Sequence, residues 1–218
     1  MTYKEIKKNE EVLAYLKKGN DNLGTMGFTD HSEAHCVQVA HQAGKILKRF
    51  GYSEHDIELV KIAGYMHDIG NVVNRVAHAQ SGALMAFTLL TNMGMDPAEI
   101  AQVVSAIGNH DEGTAAAVNP IAAALILSDK GDVRRTRVRD KERVAIDIHD
   151  RVNYAVEQAS LDIDPENKTA ILDITIDTDI CPVMDYFEIF LTRMVLCRSA
   201  AQYLGLSFEL VINGVRLL

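Results

Sequence analysis

The sequence predicts a mainly α-helical fold in which a helical bundle is followed by a small α+β unit. Through about residue 160, apolar residues recur at helical spacing, and helix-start signals such as Ser53 and Asp96–Pro97 precede several of these segments. Beyond that point the segment ILDITID alternates as a half-buried strand does, and Asn213–Gly214 is a strong hairpin signal. We therefore expect a helical domain over residues 1–160 and a strand–helix–hairpin unit over residues 166–218.

The helices can be placed by their apolar periodicity and by the residues at their ends. An amphipathic N-terminal segment predicts the first helix, and the stretch GNDNLGTMGFTD after it predicts a loop. Asp30 and Ser53 are the expected N-caps of the second and third helices, while Pro97 and Pro120 suit a first helical turn. The predicted helices cover residues 4–18, 31–50, 54–67, 79–92, 98–109, 120–130, 141–159 and 182–204.

Composition and charge narrow the possible functions. The chain has 218 residues, of which 48% are hydrophobic and 24% are charged, as in ordinary globular proteins. Its N-terminal segment lacks the apolar core of a signal peptide, and we expect a cytoplasmic protein with no membrane partner. The net charge of -8 argues against general nucleic-acid binding. The three cysteines are too scattered for a disulfide framework or a paired metal motif.

Four histidines and two aspartates lie at predicted helix ends beside apolar segments. They are His35, His67, Asp68, His78, His110 and Asp129. Each one alone fits an ordinary role, since a histidine near a helix end often interacts only with the helix dipole. Together they could converge in the core of one bundle, where helical proteins commonly build metal sites. Six ligands exceed the roughly four of a structural zinc site and suit two ions, with Asp68 as the natural bridge.

The order of these residues is similar to a known family signature. His35, His67–Asp68 and Asp129 resemble the H…HD…D pattern of the HD-domain metal-dependent phosphohydrolase superfamily. The segments HCVQVA and MHDIGN are similar to its first two motifs, and HAQSGA and AIGNHDEG resemble the extra histidine motifs of its six-ligand dinuclear members. The resemblance covers about residues 31–140. It implies an HD-domain helical bundle whose six residues bind two divalent ions, with Mn, Fe, Co or Ni all fitting the ligands.

The resemblance also implies a reaction and a class of substrate. The expected reaction is hydrolysis of a phosphoester or phosphoanhydride, with a hydroxide that bridges the two ions as the nucleophile. The expected partner is a small phosphorylated molecule, a nucleotide being the favoured example. A basic run follows Asp129 directly, and such residues can bind phosphate oxygens. The candidate catalytic residues are Asp68 and Lys130, and the candidate substrate-binding residues are Lys130, Arg134, Arg135 and His31.

Two functions of other classes fit the same residues. A di-iron oxygenase could use the same six ligands on the same scaffold, although the basic run after Asp129 favours phosphate chemistry. A non-catalytic signalling or assembly module is the second alternative, and the complete ligand set argues against it for the helical part. Exposed edges of a small sheet invite pairing with another subunit, so a homodimer is a further hypothesis. The other histidines, His41, His55 and His149, are expected at or near the surface.

Overall fold

A computed structural model describes residues 1–145 and 147–217 of the chain. Helices dominate up to Ala155, and a small sheet with one long helix follows, which confirms the predicted fold class. The helices are α1 (Tyr3–Lys7), α2 (Glu10–Thr25), α3 (Glu33–Arg49), α4 (Glu54–Met66), α5 (His78–Asn92), α6 (Pro97–Gly108), α7 (Pro120–Lys130), α8 (Ile148–Ala155) and α9 (Val183–Tyr203). The strands are β1 (Val156–Asp164), β2 (Thr169–Ile176), β3 (Ser207–Ile212) and β4 (Val215–Arg216), and 3-10 turns cover Ile69–Val72, Arg135–Arg137 and Lys141–Ala145.

Helices α3 to α7 begin and end within two residues of their predicted limits. Their N-caps explain this agreement. Ser53 and Asp56 form a reciprocal capping box at the start of α4. The side chain of Asp96 accepts a hydrogen bond from Ala98 N at 2.8 Å, and the side chain of Asn119 accepts one from Ala122 N at 2.7 Å. A proline follows each of these last two caps, where its missing N–H has no helical partner to lose.

The N-terminal region differs from its prediction. The expected helix over residues 4–18 is divided, because the side chain of Asn9 accepts hydrogen bonds from two amides and so caps α2. The expected loop after it is helical through Thr25, and its Gly19 lets α2 approach the turn at Val72 closely, since an added Cβ would lie 3.0 Å from Val72 N. Asp30 is also not a helix N-cap, because α3 begins after Ser32.

The second difference lies where the helical part meets the sheet. The helix predicted over residues 141–159 ends at Ala155, and strand β1 begins at Val156. Strand β1 pairs antiparallel with β2, which is the strand that the alternation of Leu172, Ile174 and Ile176 predicts. The strand that pairs with β1 therefore lies later in the chain. The hydrophobic pattern of residues 156–164 cannot predict a pairing with so distant a partner.

The sheet has the order β1-β2-β3-β4, and α9 forms the crossover between the parallel strands β2 and β3. The predicted hairpin between β3 and β4 is confirmed, with Asn213 at φ 51° and Gly214 at φ 76°, as a primed turn requires. Helix α9 also packs against α7 and α8 of the preceding part. Buried apolar residues of both parts belong to one hydrophobic core, and the division at residues 160–166 remains a prediction.

The outer strand β1 is partly covered by the bundle. Gln42 and Arg49 of α3 donate hydrogen bonds to the carbonyls of Leu161 and Ile163, at 2.6 and 2.8 Å. Part of the sheet edge available for pairing with a second subunit is therefore occupied, and the homodimer stays a prediction. Among the described residues, no helix combines the length and the apolar character that a bilayer-spanning segment needs.

Candidate metal centre

The six predicted metal ligands come together inside the bundle. His35 lies in the first turn of α3, His67 and Asp68 follow α4, His78 begins α5, His110 follows α6, and Asp129 lies at the end of α7. All six side chains are buried. The Nε2 atoms of His35 and His67 are 3.3 Å apart, and those of His78 and His110 are 3.2 Å apart. Residues from five helices thus form one cluster, as the sequence predicts.

Asp68 lies between the two histidine pairs. Its Oδ2 atom is 3.4 Å from His67 Nε2, and its Oδ1 atom is 3.6 Å from His78 Nε2. Asp129 lies on the first side, with Oδ1 at 3.3 Å from His35 Nε2. Ligand atoms of His35, His67 and Asp129 lie within 4.8 Å of one another, and so do those of His67, Asp68 and His110. A carboxylate between two such groups is placed as a bridging ligand would be.

Backbone acceptors orient three of the four histidines. The Nδ1 atoms of His67, His78 and His110 lie 2.8, 3.0 and 2.6 Å from the carbonyl oxygens of the residues three positions earlier. A carbonyl can only accept, so each Nδ1 is the donor, and each neutral ring keeps its lone pair on Nε2. Gly64 and Ile107 lie in the last turns of α4 and α6, where carbonyls have no partner within the helix and are available for this role. Every one of these rings therefore directs a metal-binding lone pair into the cluster.

This arrangement leaves acceptor atoms facing one another. The Nε2 atoms of His78 and His110 cannot share a hydrogen bond when both carry lone pairs. Asp68 Oδ2 is enclosed and has no hydrogen-bond donor among the described residues. Leaving a buried acceptor without a donor costs about 1–3 kcal/mol. A cation between these atoms would satisfy them all, so the residues fit divalent metal ions, and mixed imidazole and carboxylate ligands suit Mn, Fe, Co or Ni.

Burial and charge both act on the pKa values in the cluster. Burial lowers the pKa of His110 well below its usual range, which keeps its ring neutral. Burial would raise the pKa of Asp68, but the surrounding histidines, His67 first, outweigh it and hold that pKa well below the usual range. Burial would lower the pKa of His67, yet the Asp68 and Asp129 carboxylates outweigh it and raise that pKa. The centre thus attracts positive charge, whether a proton or a metal ion.

Several residues that the sequence analysis missed support the ligands. Asp132 Oδ2 lies 2.7 Å from His35 Nδ1 and also accepts a hydrogen bond from Arg134 Nη2 at 2.9 Å. Asn71 donates from Nδ2 to Asp68 Oδ1 at 2.8 Å. The buried Arg137 donates to the carbonyl of Asp132 at 2.8 Å. The repeated aspartate in the segment SDKGD was the available signal, because it places Asp132 one turn beyond a ligand.

A glycine after the HD doublet brings two elements of the centre together. An added Cβ at Gly70 would collide with the carbonyl oxygen of His78 and lie 2.5 Å from Gly82 N. Both atoms belong to the backbone, which cannot move aside as a flexible side chain can. Glycine at this position therefore permits the contact that sets the start of α5, and with it His78, against the HD turn.

The basic run after Asp129 divides into two parts. Lys130 is buried, with Nζ at 2.7 Å from Asp129 Oδ2. Arg134 instead pairs with Asp132, at 2.5 Å between Nε and Oδ1. Arg135 donates to the carbonyl of Tyr154 at 2.5 Å, and its guanidinium lies 4.8 Å from the centre of that ring. The structure brings Lys130 to the centre, whereas these contacts turn Arg134 and Arg135 elsewhere.

A cavity of about 420 Å³ adjoins the cluster. Its described lining includes the predicted His31, whose ring lies 5.7 Å from that of His35. It also includes residues that sequence reasoning did not select, namely Phe28, Arg75, Glu112, Arg137, His149, Phe190 and Arg193. These residues come from separate loops and from α8 and α9, and their spacing in the chain gave no sign that they meet. A larger groove, of about 510 Å³, lies between α3 and β1 and is lined by none of the six predicted ligands.

Comparisons with known proteins identify a family that part of the chain matches. The model of the HD domain family matches residues 33–155. The chain is 28% identical over 161 residues to Uncharacterized protein MJ1020 of Methanocaldococcus jannaschii, an alignment that covers 64% of this chain and 62% of that protein. The chain therefore spans less than two thirds of that relative's length.

A solved structure is also similar to the chain. It is the crystal structure of a predicted HD superfamily hydrolase from an uncultured Thermotogales bacterium, with 25% identity and a TM-score of 0.46. The similarity covers 62% of this chain and 75% of that one. Because the family model matches more than half of the residues, this chain belongs to the HD domain family, a family of metal-dependent hydrolases.

Proposed function

We propose that this protein is a phosphohydrolase that binds two divalent metal ions and hydrolyses a phosphoester or phosphoanhydride bond of a small molecule, such as a nucleotide. The observation that carries the proposal is the buried cluster of four histidines and two aspartates with facing acceptor atoms. Asp68 Oδ2 has no hydrogen-bond donor among the described residues, and the facing Nε2 lone pairs of His78 and His110 cannot satisfy one another, whereas two cations would satisfy these atoms. A cytoplasmic location is a further part of the proposal.

The positions of the side chains suggest how the ligands would divide. His35, His67 and Asp129 would hold one ion. His78 and His110 would hold the other, with Asp68 contributing one oxygen to each side. When bound, divalent ions supply Lewis-acid activation of water and neutralise charge on a phosphoryl group. Asp132 and Asn71 would keep His35 and Asp68 in their binding orientations, as hydrogen-bonded supporting residues do in metal sites.

Two cationic side chains beside the cluster favour a phosphate substrate. Lys130 contacts Asp129, and its ammonium can donate to a phosphoryl oxygen. Arg75 lines the cavity, and its Nη1 atom lies 3.4 Å from His78 Nε2 and 3.9 Å from Asp68 Oδ1. An arginine can bind phosphate through two parallel hydrogen bonds. We therefore propose Arg75 as a phosphate-binding residue, in the role that the sequence suggested for Arg134 and Arg135.

The remaining predicted residue, His31, lies on the cavity wall beside His35. Its Nδ1 atom donates to the carbonyl of Thr29 at 2.7 Å, which leaves Nε2 as an acceptor when the ring is neutral. Burial lowers the pKa of His31 well below its usual range and so favours that neutral form. A neutral acceptor suits a hydroxyl or an amino group of the substrate better than a phosphate. We propose that His31 contacts the part of the substrate that does not react.

The test of this function is metal analysis of protein purified without oxygen, followed by phosphate release from a panel of nucleotides and sugar phosphates. We expect two metal ions per chain, loss of turnover on chelation, and recovery on addition of Mn²⁺. A protein that holds two irons, consumes O₂ and releases no phosphate from the panel would instead support the di-iron oxygenase.

A further inference from the structure

A carboxylate that lines the cavity beside the metal centre lies between a buried cation and a second cation on the cavity wall. Glu112 Oε1 is 2.6 Å from Arg193 Nε and 3.5 Å from Lys130 Nζ. Lys130 also contacts Asp129 Oδ2 at 2.7 Å. A series of alternating charges therefore runs from a predicted metal ligand, through Lys130 and Glu112, to Arg193 at the cavity wall.

The two cations are held in place without Glu112. Lys130 is buried at the end of α7. The guanidinium of Arg193 lies 4.6 Å from the centre of the Phe190 ring on the same helix, at a distance where a cation is attracted to the ring face. Lys130 and Arg193 extend from α7 and α9, and the packing of these two helices brings both side chains to the same carboxylate.

Glu112 itself is less firmly built in. It lies in the non-helical connection between α6 and α7, two residues after the predicted ligand His110. Its Oε1 atom is enclosed, yet its contacts with the two cations lack the alignment of a hydrogen bond. An ion pair without that alignment forgoes much of the strength of a charge-assisted hydrogen bond. This carboxylate is therefore the group in the series that another anion could replace.

We propose that Lys130 and Arg193 form a subsite for a second phosphate group of the substrate, and that Glu112 occupies it until that phosphate displaces the carboxylate. The inference rests on the proposed function, because it assumes that the reacting phosphoryl group binds at the metal centre. A phosphate carries more charge and more acceptor oxygens than a carboxylate, and Arg193 can bind it through two parallel hydrogen bonds. The substrate class is then a compound with two linked phosphates.

The subsite also gives the C-terminal unit a part in recognition, since Arg193 belongs to α9. Of the other cations that line the cavity, Arg75 lies beside the metal centre, where the reacting phosphate would bind. Asp147 and Asp150 line the cavity near α8 and supply no cation there. Arg137 is already engaged with the carbonyls of Asp30 and Asp132. The Lys130–Arg193 pair is consequently the position where an added anion replaces an existing one.

The test compares two phosphonates that resist hydrolysis, methylenediphosphonate and methylphosphonate, by titration calorimetry on the full chain with and without Mn²⁺. Glu112→Gln removes the competing charge at constant size, so it should tighten diphosphonate binding about tenfold, which corresponds to about 1.4 kcal/mol. Arg193→Gln should weaken diphosphonate binding by about tenfold as well. The affinity for methylphosphonate, which has no second phosphonate group, should change by less than about twofold in both variants.

Matched controls come from exposed residues of α9. Glu188→Gln and Arg198→Gln make the same changes of charge on the same helix, away from the cavity lining, and should leave both affinities unchanged. If Arg193→Gln fails to fold by circular dichroism, Arg193→Lys retains the charge and should weaken diphosphonate binding less. Unchanged or weaker diphosphonate binding by Glu112→Gln would overturn the subsite, as would equal changes for both phosphonates.

Failure of the subsite is distinguishable from failure of the proposed function. If the protein is not a phosphohydrolase, the wild type releases no phosphate from any substrate, while the effect of Glu112→Gln on diphosphonate binding persists without metal. If only the subsite is wrong, turnover and metal content remain normal and the two phosphonates respond alike to Glu112→Gln.

Discussion

The metal centre and the cavity beside it are built in different ways. In the centre, backbone carbonyls three residues earlier orient the rings of His67, His78 and His110, and the Asp132 carboxylate orients that of His35. At the cavity, Glu112 lies between the buried Lys130 and Arg193 of the cavity wall, and another anion could replace this carboxylate. Under the proposed function, the difference teaches that binding of the metal ions would depend on a rigid arrangement, whereas recognition of the substrate would depend on ion pairs that can exchange.

The strongest test of the rigid part is Asp68→Ala, which removes the proposed bridge. We expect loss of both metal ions and a fall in kcat/KM beyond the roughly 10–100-fold typical of a residue that only supports a ligand. Helix content should be retained, because the apolar core does not depend on this side chain. Metal analysis and circular dichroism check this, with the exposed Asp173→Ala as control. Two bound ions and full turnover in Asp68→Ala would show that the residue is not a ligand.

A smaller effect is expected for the second pair of histidines. His78→Ala and His110→Ala should each reduce the metal content from two ions toward one, because the other side keeps His35, His67 and Asp129. The measurement is metal stoichiometry by mass spectrometry at a fixed free metal concentration. His55→Ala is the matched control, since this histidine is exposed and pairs only with Glu99 among the contacts that the structure describes. Normal stoichiometry in either variant would favour a centre with a single ion.

The next prediction tests whether Asp132 orients the ligand His35 without binding the metal itself. Asp132→Ala should lower metal affinity by roughly 10–100-fold, because His35 loses the acceptor of its Nδ1 proton. Asp132→Asn keeps a side-chain oxygen that can accept the same proton, and it should recover part of that affinity. Competition with a metal-sensitive dye gives the affinities, and the absorption spectrum of the Co²⁺-loaded protein reports the ligand geometry. If both variants bind metal like the wild type, Asp132 has a structural role only.

The smallest effects are expected in the basic run. Arg134→Ala and Arg135→Ala should change kcat/KM by no more than about threefold, which is under about 1 kcal/mol, because their contacts lie away from the cavity. Arg75→Ala should reduce kcat/KM by about tenfold, since a charge-assisted hydrogen bond contributes about 1.5–3 kcal/mol. Steady-state kinetics on matched mono- and diphosphate substrates decide between them. A larger loss for Arg134→Ala or Arg135→Ala than for Arg75→Ala would restore the sequence-based assignment.

The sequence by itself predicted the helical bundle, the ILDITID strand and the Asn213–Gly214 hairpin, because each depends on local periodicity or on a turn that two residues specify. It also indicated the six candidate ligands. Burying histidine and aspartate at the ends of apolar helices costs free energy, which hydrogen bonds or a metal ion must offset. The sequence could not predict that the helix after residue 141 would give way to β1, because β1 depends on pairing with β2.

Only the tertiary structure decided which charged residues meet. Arg75, Glu112 and Arg193 are separated by long stretches of chain, and the packing of distant elements brings them to one cavity. Arg134 and Arg135 lie beside a candidate ligand in sequence, yet Asp132 and Tyr154 draw their side chains away from the cavity. The physical reason is that a long, flexible cation goes to whichever carboxylate, carbonyl or ring lies within its reach, and neighbours in sequence are only some of those partners.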